Sequence, residues 1–148
     1  AGELRTIVSA IRVVFELARM GDLAAHVAKI ARLRFPESAV PDSLRGNFSR
    51  MSEVCLAMIQ LANQSLKDRD AVAALRMAEI DHEMDHLRRD HFGVLLGENW
   101  SGSVEQAIDV ALLGRYFERF ADHAVAVARR VIYIITGQFP EGEEWPNA

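Results

Sequence analysis

The sequence predicts an all-α fold, and three observations carry that expectation. Apolar residues recur at intervals of three and four through four long stretches, the signature of amphipathic helices. The chain's four prolines all fall between or after those stretches, and Ala, Leu, Arg, Met and Glu recur within them. No segment alternates apolar and polar residues as a half-buried strand would. At 148 residues, half of them hydrophobic and about a quarter charged, the chain has the length and balance of one globular domain.

The elements follow in order. Residues 2 to about 35 read as one helix, with Leu4, Ile7, Val8, Ile11, Val14, Phe15, Leu17, Leu23, Val27 and Ile30 at helical spacing. Pro36 and Pro41 forbid its continuation. Asp42 or Ser43 is positioned to cap a second helix, which runs to about Lys67 with a stripe of Leu44, Phe48, Met51, Val54, Cys55, Met58, Leu61 and Ala62. The polar cluster 67–70 ends it, and Asp68 or Asp70 can cap a third helix reaching about Leu96, with Gly97 as its C-terminal cap. Ser103 and Gln106 have the spacing of a capping box. The fourth helix then runs to Ile135 or Thr136 and ends at Gly137, before a polar tail, 138–148. Short links between long helices imply an antiparallel bundle.

Several function classes are disfavoured at once. A net charge of −4 leaves no electrostatic footprint for nucleic acid. Cys55 is the single cysteine, so there is no intrachain disulfide framework and no cysteine zinc site. Apolar runs such as 131–135 are far too short for a bilayer. A cytoplasmic protein is expected. The first residue is not Met, and a fragment of a longer chain is expected.

An internal repeat organises the rest. RYFERFADHAVAVARRVIYIITG (115–137) has an earlier counterpart in FELARMGDLAAHVAKIARL (15–33), at an offset of one hundred positions. Arg19 and Asp22 match Arg119 and Asp122, but Ala18 stands where Glu118 stands. The later copy therefore keeps a carboxylate pair, Glu118 and Asp122, on one helix face, with Arg115 and Arg119 on the same stripe. The earlier copy keeps only Asp22. Asp81 and Asp85 repeat the pair on the third helix. Like charges at that spacing cost a helix about 0.2–0.5 kcal/mol per pair, so an ordinary solvated face would more often alternate signs. Two such pairs on neighbouring helices supply four hard oxygen ligands. The competing account is an acidic face neutralised by Arg88, Arg89, Arg115 and Arg119, the last two being a salt-bridging or anion-binding pair.

Other groups carry less. His82 and His86 are spaced for zinc, and Glu79-x-x-His82 and Glu83-x-x-His86 resemble di-iron motifs. Di-iron bundles, however, draw such motifs from two helices, whereas both copies here share one. His26, His91 and His123 read as surface or hydrogen-bonded groups, Cys55 as a core residue, and Trp100 as a cover for the bundle end. No nucleophile, base and oxyanion site assemble, and an enzyme is not expected.

The stretches 2–31, 76–92 and 115–137 together resemble the PhoU family, through Glu-Arg-x-x-Asp-His at 118–123 followed by small and apolar residues and a terminal Gly. The likeness spans nearly the whole chain. It implies a PhoU-like helical bundle in which residues 1–35 are the last helix of a first, truncated repeat and 42–137 a complete second three-helix repeat. It implies metal ligation by Asp81, Asp85, Glu118 and Asp122, with iron, zinc, magnesium or manganese as the metal, and a degenerate first-repeat motif at Asp22. It also implies a negative regulator that links the phosphate ABC transporter, through its ATPase PstB, to the sensor histidine kinase PhoR. Such a protein would reach the membrane only through its partners. The alternatives are a metal-binding or metal-storage bundle and a metal-dependent enzyme. The bare apolar stripe of the first helix (Ile7, Ile11, Val14, Leu17) leads us to expect a homo-oligomer.

Overall fold

A computed structural model describes residues 2–98 and 100–140. Four helices follow one another, α1 (Gly2–Arg34), α2 (Asp42–Asp68), α3 (Ala71–Leu96) and α4 (Val104–Thr136), with no strand among the described residues. Part of the polar tail, 141–148, lies outside the described residues.

Local chemistry sets most of the boundaries. Asp70 accepts from the backbone N–H groups of Val72 and Ala73 and starts α3. Ser103 and Gln106 form the reciprocal capping box that starts α4. Gly137 ends α4 with φ 79°, a left-handed conformation that suits glycine, and its N–H reaches the Tyr133 carbonyl.

One cap falls on a different residue from the one expected, and another keeps its residue but not its conformation. Neither Asp42 nor Ser43 is the N-cap of α2. That place belongs to Pro41, whose fixed φ of −66° delivers an extended entry without a side-chain acceptor. Asp42 instead places its charge in the first turn, where the helix dipole favours it, and pairs with Arg45 at 2.6 Å. Gly97 is the C-cap of α3 as expected, but in an extended rather than left-handed conformation (φ −75°), its N–H turning back to the Val94 carbonyl. The left-handed cap appears instead at Arg69 (φ 51°), where the chain must pass from α2 to α3 within two residues.

Helices α2, α3 and α4 all pack against one another, whereas α1 packs on α4 alone. The core of the three-helix unit is rich in methionine. Met51, Met58, Met77 and Met84 are buried together with Val54, Val110 and Val127. Met is flexible enough to fill irregular gaps between helices of differing tilt. Cys55 belongs to this core, its thiol pushed up to about 12 by burial. Trp100 packs against the core at the α3–α4 turn, with Gly102 so close that a Cβ there would enter the indole ring.

α1 buries Val13, Met20 and Leu23 but leaves Leu4, Ile7, Ile11, Val14, Phe15 and Leu17 exposed. It is tied to α4 by polar contacts at three levels. Arg34 pairs with buried Asp109 and with Glu105, and His123 meets Glu16 at 2.7 Å. At the other end, Arg5 donates to the Ile134 carbonyl at 3.1 Å and lies over the Tyr133 ring.

Candidate functional site: a carboxylate groove between α3 and α4

Packing α3 against α4 brings the two predicted carboxylate pairs to one groove. In each pair one member is buried and the other exposed. Asp81 is 5% exposed and Glu118 9%, while Asp85 and Asp122, one turn along their helices, face solvent. The four share one electrostatic field. The Asp81 carboxyl is pushed up to about 7, first by burial and then by the charges of Asp85, Asp122 and Glu118, with His82 opposing. Asp122, at the groove's rim, is raised by partial desolvation of its carboxyl and by Glu118 and Asp85, against Arg115 and His123. Arg129 lies near enough to Asp81 for that charge to oppose the desolvation that lowers the guanidinium.

The predicted arginines divide their roles. Arg88 of α3 reaches across the groove to Glu118 at 2.6 Å, and Arg115 holds the other carboxylate oxygen from one turn before. Arg89 turns away and donates to the Asp85 carbonyl at 3.3 Å. Arg119 is exposed on α4. Asp22, the remnant of the motif on α1, is exposed and pairs with Arg19 at 3.6 Å. His82 and His86 are exposed, and Glu83 is engaged by Arg50 of α2 at 2.5 Å, with Glu79 exposed one turn earlier.

In this conformation the groove is a carboxylate cluster clamped by two arginines. Among the described residues no three His, Cys, Asp or Glu side chains stand close enough together to hold one metal ion. Both oxygens of Glu118 are taken by guanidinium groups. The donor set is nonetheless all hard oxygen, which suits magnesium, manganese or iron better than zinc.

Several features had no clear sequence signal. His91 was expected at the surface or hydrogen-bonded. It is fully buried, and neither ring nitrogen makes a hydrogen bond. The reason lies on another helix, because the space it fills is opened by Gly114 of α4. His26 is exposed and stacks on Tyr116, with ring centroids 5.2 Å apart. The Arg34–Asp109 pair was equally invisible, since a lone aspartate among apolar neighbours does not identify a cation on a distant helix.

Comparison with known proteins follows the same helices. The PhoU domain matches residues 48–131, from α2 to near the end of α4. This chain belongs to the PhoU family. It is 47% identical, over all 148 residues, to phosphate-specific transport system accessory protein PhoU homolog 1 of Mycobacterium leprae, covering 67% of that protein. It is 49% identical over 140 residues to PhoU homolog 2 of Mycobacterium tuberculosis, covering 95% of this chain and 66% of the relative. The chain thus spans about two thirds of the length of these PhoU relatives. The crystal structure of the phosphate transport system regulatory protein PhoU from Streptococcus pneumoniae superposes with a TM-score of 0.83 at 23% identity, over 95% of this chain and 67% of that one. That likeness establishes the PhoU helical-bundle fold.

Proposed function

We propose that the chain is part of a negative regulator of phosphate uptake and of phosphate-starvation signalling. In this reading it works in the cytoplasm and couples the phosphate ABC transporter, through the ATPase PstB, to the sensor kinase PhoR. The observation that carries it is 47% identity, along the full chain, to a protein named for phosphate-specific transport. The architecture is compatible. Long exposed helix faces provide contact surface, and no helix among the described residues is long and apolar enough to cross a membrane. Residues 42–137 would act as one three-helix repeat, and α1 as the last helix of another. The test is a phosphate-starvation reporter in cells with and without the parent gene, grown in ample phosphate. Derepression on loss supports the role, and continued silence in a strain lacking paralogues refutes it.

A second reading has its own support. The groove holds four carboxylates, one of them buried and raised to about 7, which is the environment a cation would relieve. We infer that Asp81, Asp85, Glu118 and Asp122 can take iron, manganese, magnesium or zinc, as a regulatory ligand rather than a catalyst. Elemental analysis after purification without chelators, on the wild type and on Asp85→Asn/Asp122→Asn, tests this. Metal lost in the double variant supports it, and metal-free wild type removes it.

A further inference from the structure

His91 is the one fully buried histidine, and its surroundings explain neither of its nitrogens. It packs between Phe48 of α2, with ring centroids 5.4 Å apart, and Phe92 of its own helix, at 4.8 Å. Its edge lies against the bare backbone of Gly114, where any Cβ would overlap the imidazole. The Leu87 carbonyl, one turn back on α3, is the backbone acceptor that acts on the ring, and that oxygen already accepts from Asn47 at 2.9 Å. The charged groups acting on the ring are Arg88 and Asp90 of α3 and Glu118 of α4; from α2 the ring meets Phe48, and Asn47 bonds the Leu87 carbonyl. Arg88 opposes a second positive charge, Asp90 and Glu118 favour it, and burial outweighs all three, so the ring is held neutral.

We propose that His91 and Gly114 form an acid-sensitive latch between α3 and α4, which closes with a neutral ring and releases the C-terminal part of α3 when the ring takes a proton. A protonated imidazolium needs two hydrogen-bond acceptors, and the closed packing offers one at most, the Leu87 carbonyl already shared with Asn47. It gains them by moving the last turns of α3 off α4 toward water. Bulk acidification thereby becomes a change in the groove wall, because Arg88 sits one turn from His91 and travels with it.

Amide hydrogen exchange of residues 88–96, corrected for the intrinsic pH dependence of exchange, tests the latch. With an open-state pKa near 6.5, opening should become about tenfold more frequent at pH 5.5 than at neutral pH. His91→Leu should abolish that increase. Gly114→Ala, which forces the ring out, should lower protection of 88–96 at pH 7.5. If His91→Leu does not fold, the Cε1–H resonance of His91 in the wild type decides. A ring that titrates near 6.5 while 88–96 stay protected overturns the latch, as does an acid response that survives in His91→Leu. Asp81 does not imitate the signal, since its raised carboxyl makes acid stabilising.

Discussion

Helices α1 and α4 are two versions of one sequence with opposite fates. α4 is packed by all three other helices, and α1 by α4 alone. The difference can be followed position by position. Val110, Gly114, Ala121, Ala124, Val125 and Ala128 of α4 are buried. Their counterparts Ala10, Val14, Gly21, Ala24, Ala25 and Ala28 are all exposed. The two helices still share the positions by which they meet each other, since Ser9 and Val13 are buried like Asp109 and Leu113. Periodicity thus encodes where a helix can bury surface, and the number of available neighbours decides where it does. The chemistry follows the same division. The acid kept in the covered helix, Glu118, is buried and clamped, whereas Asp22 on the bare helix holds a loose exposed pair.

This contrast can be broken in four ways, from the largest effect to the smallest. The bare face of α1 should drive association, so light scattering at micromolar concentration should report an oligomer. Ile11→Glu/Val14→Glu, at two exposed positions, should return it to a monomer, and a monomeric wild type would sink the expectation. Val127→Ala, in the packed helix, should cost about 2 kcal/mol in urea denaturation, whereas the matching Val27→Ala, half-buried in α1, should cost less than about 1 kcal/mol. Equal losses would erase the distinction.

The third test uses pH. Asp81 binds its proton more tightly folded (about 7) than unfolded (3.8), so its contribution to stability is full below the unfolded value and is lost as pH rises through about 7. Asp81→Asn should therefore be about 1–2 kcal/mol more stable than wild type at pH 8, with the advantage gone at pH 4. An advantage that does not vary with pH would assign the effect to packing. The fourth compares arginines. Arg88→Ala, stripping one partner from buried Glu118, should cost about 1 kcal/mol after allowance for its partial exposure. Arg19→Ala, at the exposed counterpart pair, should cost less than about 0.5 kcal/mol in the same titration.

Much of this was legible in the sequence, and what was hidden has one physical cause. Helix ends could be read because their determinants are local: Pro36, the Asp70 cap, the Ser103–Gln106 box and Gly137 act within a few residues of themselves. The carboxylate pairs could be placed on helix faces because i,i+4 spacing is also local. That Asp81 and Glu118 lie inward while Asp85 and Asp122 lie outward could not be read. The run 79–91 carries only the narrow apolar stripe of Ile80, Met84 and Leu87, and whether the covered side extends past it to Asp81 depends on how α3 turns against α4. His91 was hidden for the same reason in reverse. Its burial depends on a missing side chain at position 114, a cue that has no meaning until the two helices are seen together. The caps at Pro41 and Arg69 were missed because chain entry and the short link overrode the usual capping preferences.

The hydrogen bond from Arg5 to the Ile134 carbonyl joins residues 129 positions apart. It has a kinetic consequence. The mutual contacts of α2, α3 and α4 span far shorter separations than those between α1 and α4, and loop closure is entropically cheaper when the loop is short. The three-helix unit therefore assembles first, and α1 docks on it last. Until it does, the final turn of α4 lacks its Arg5 contact, so the start of α1 and the end of α4 become fixed together in one late event.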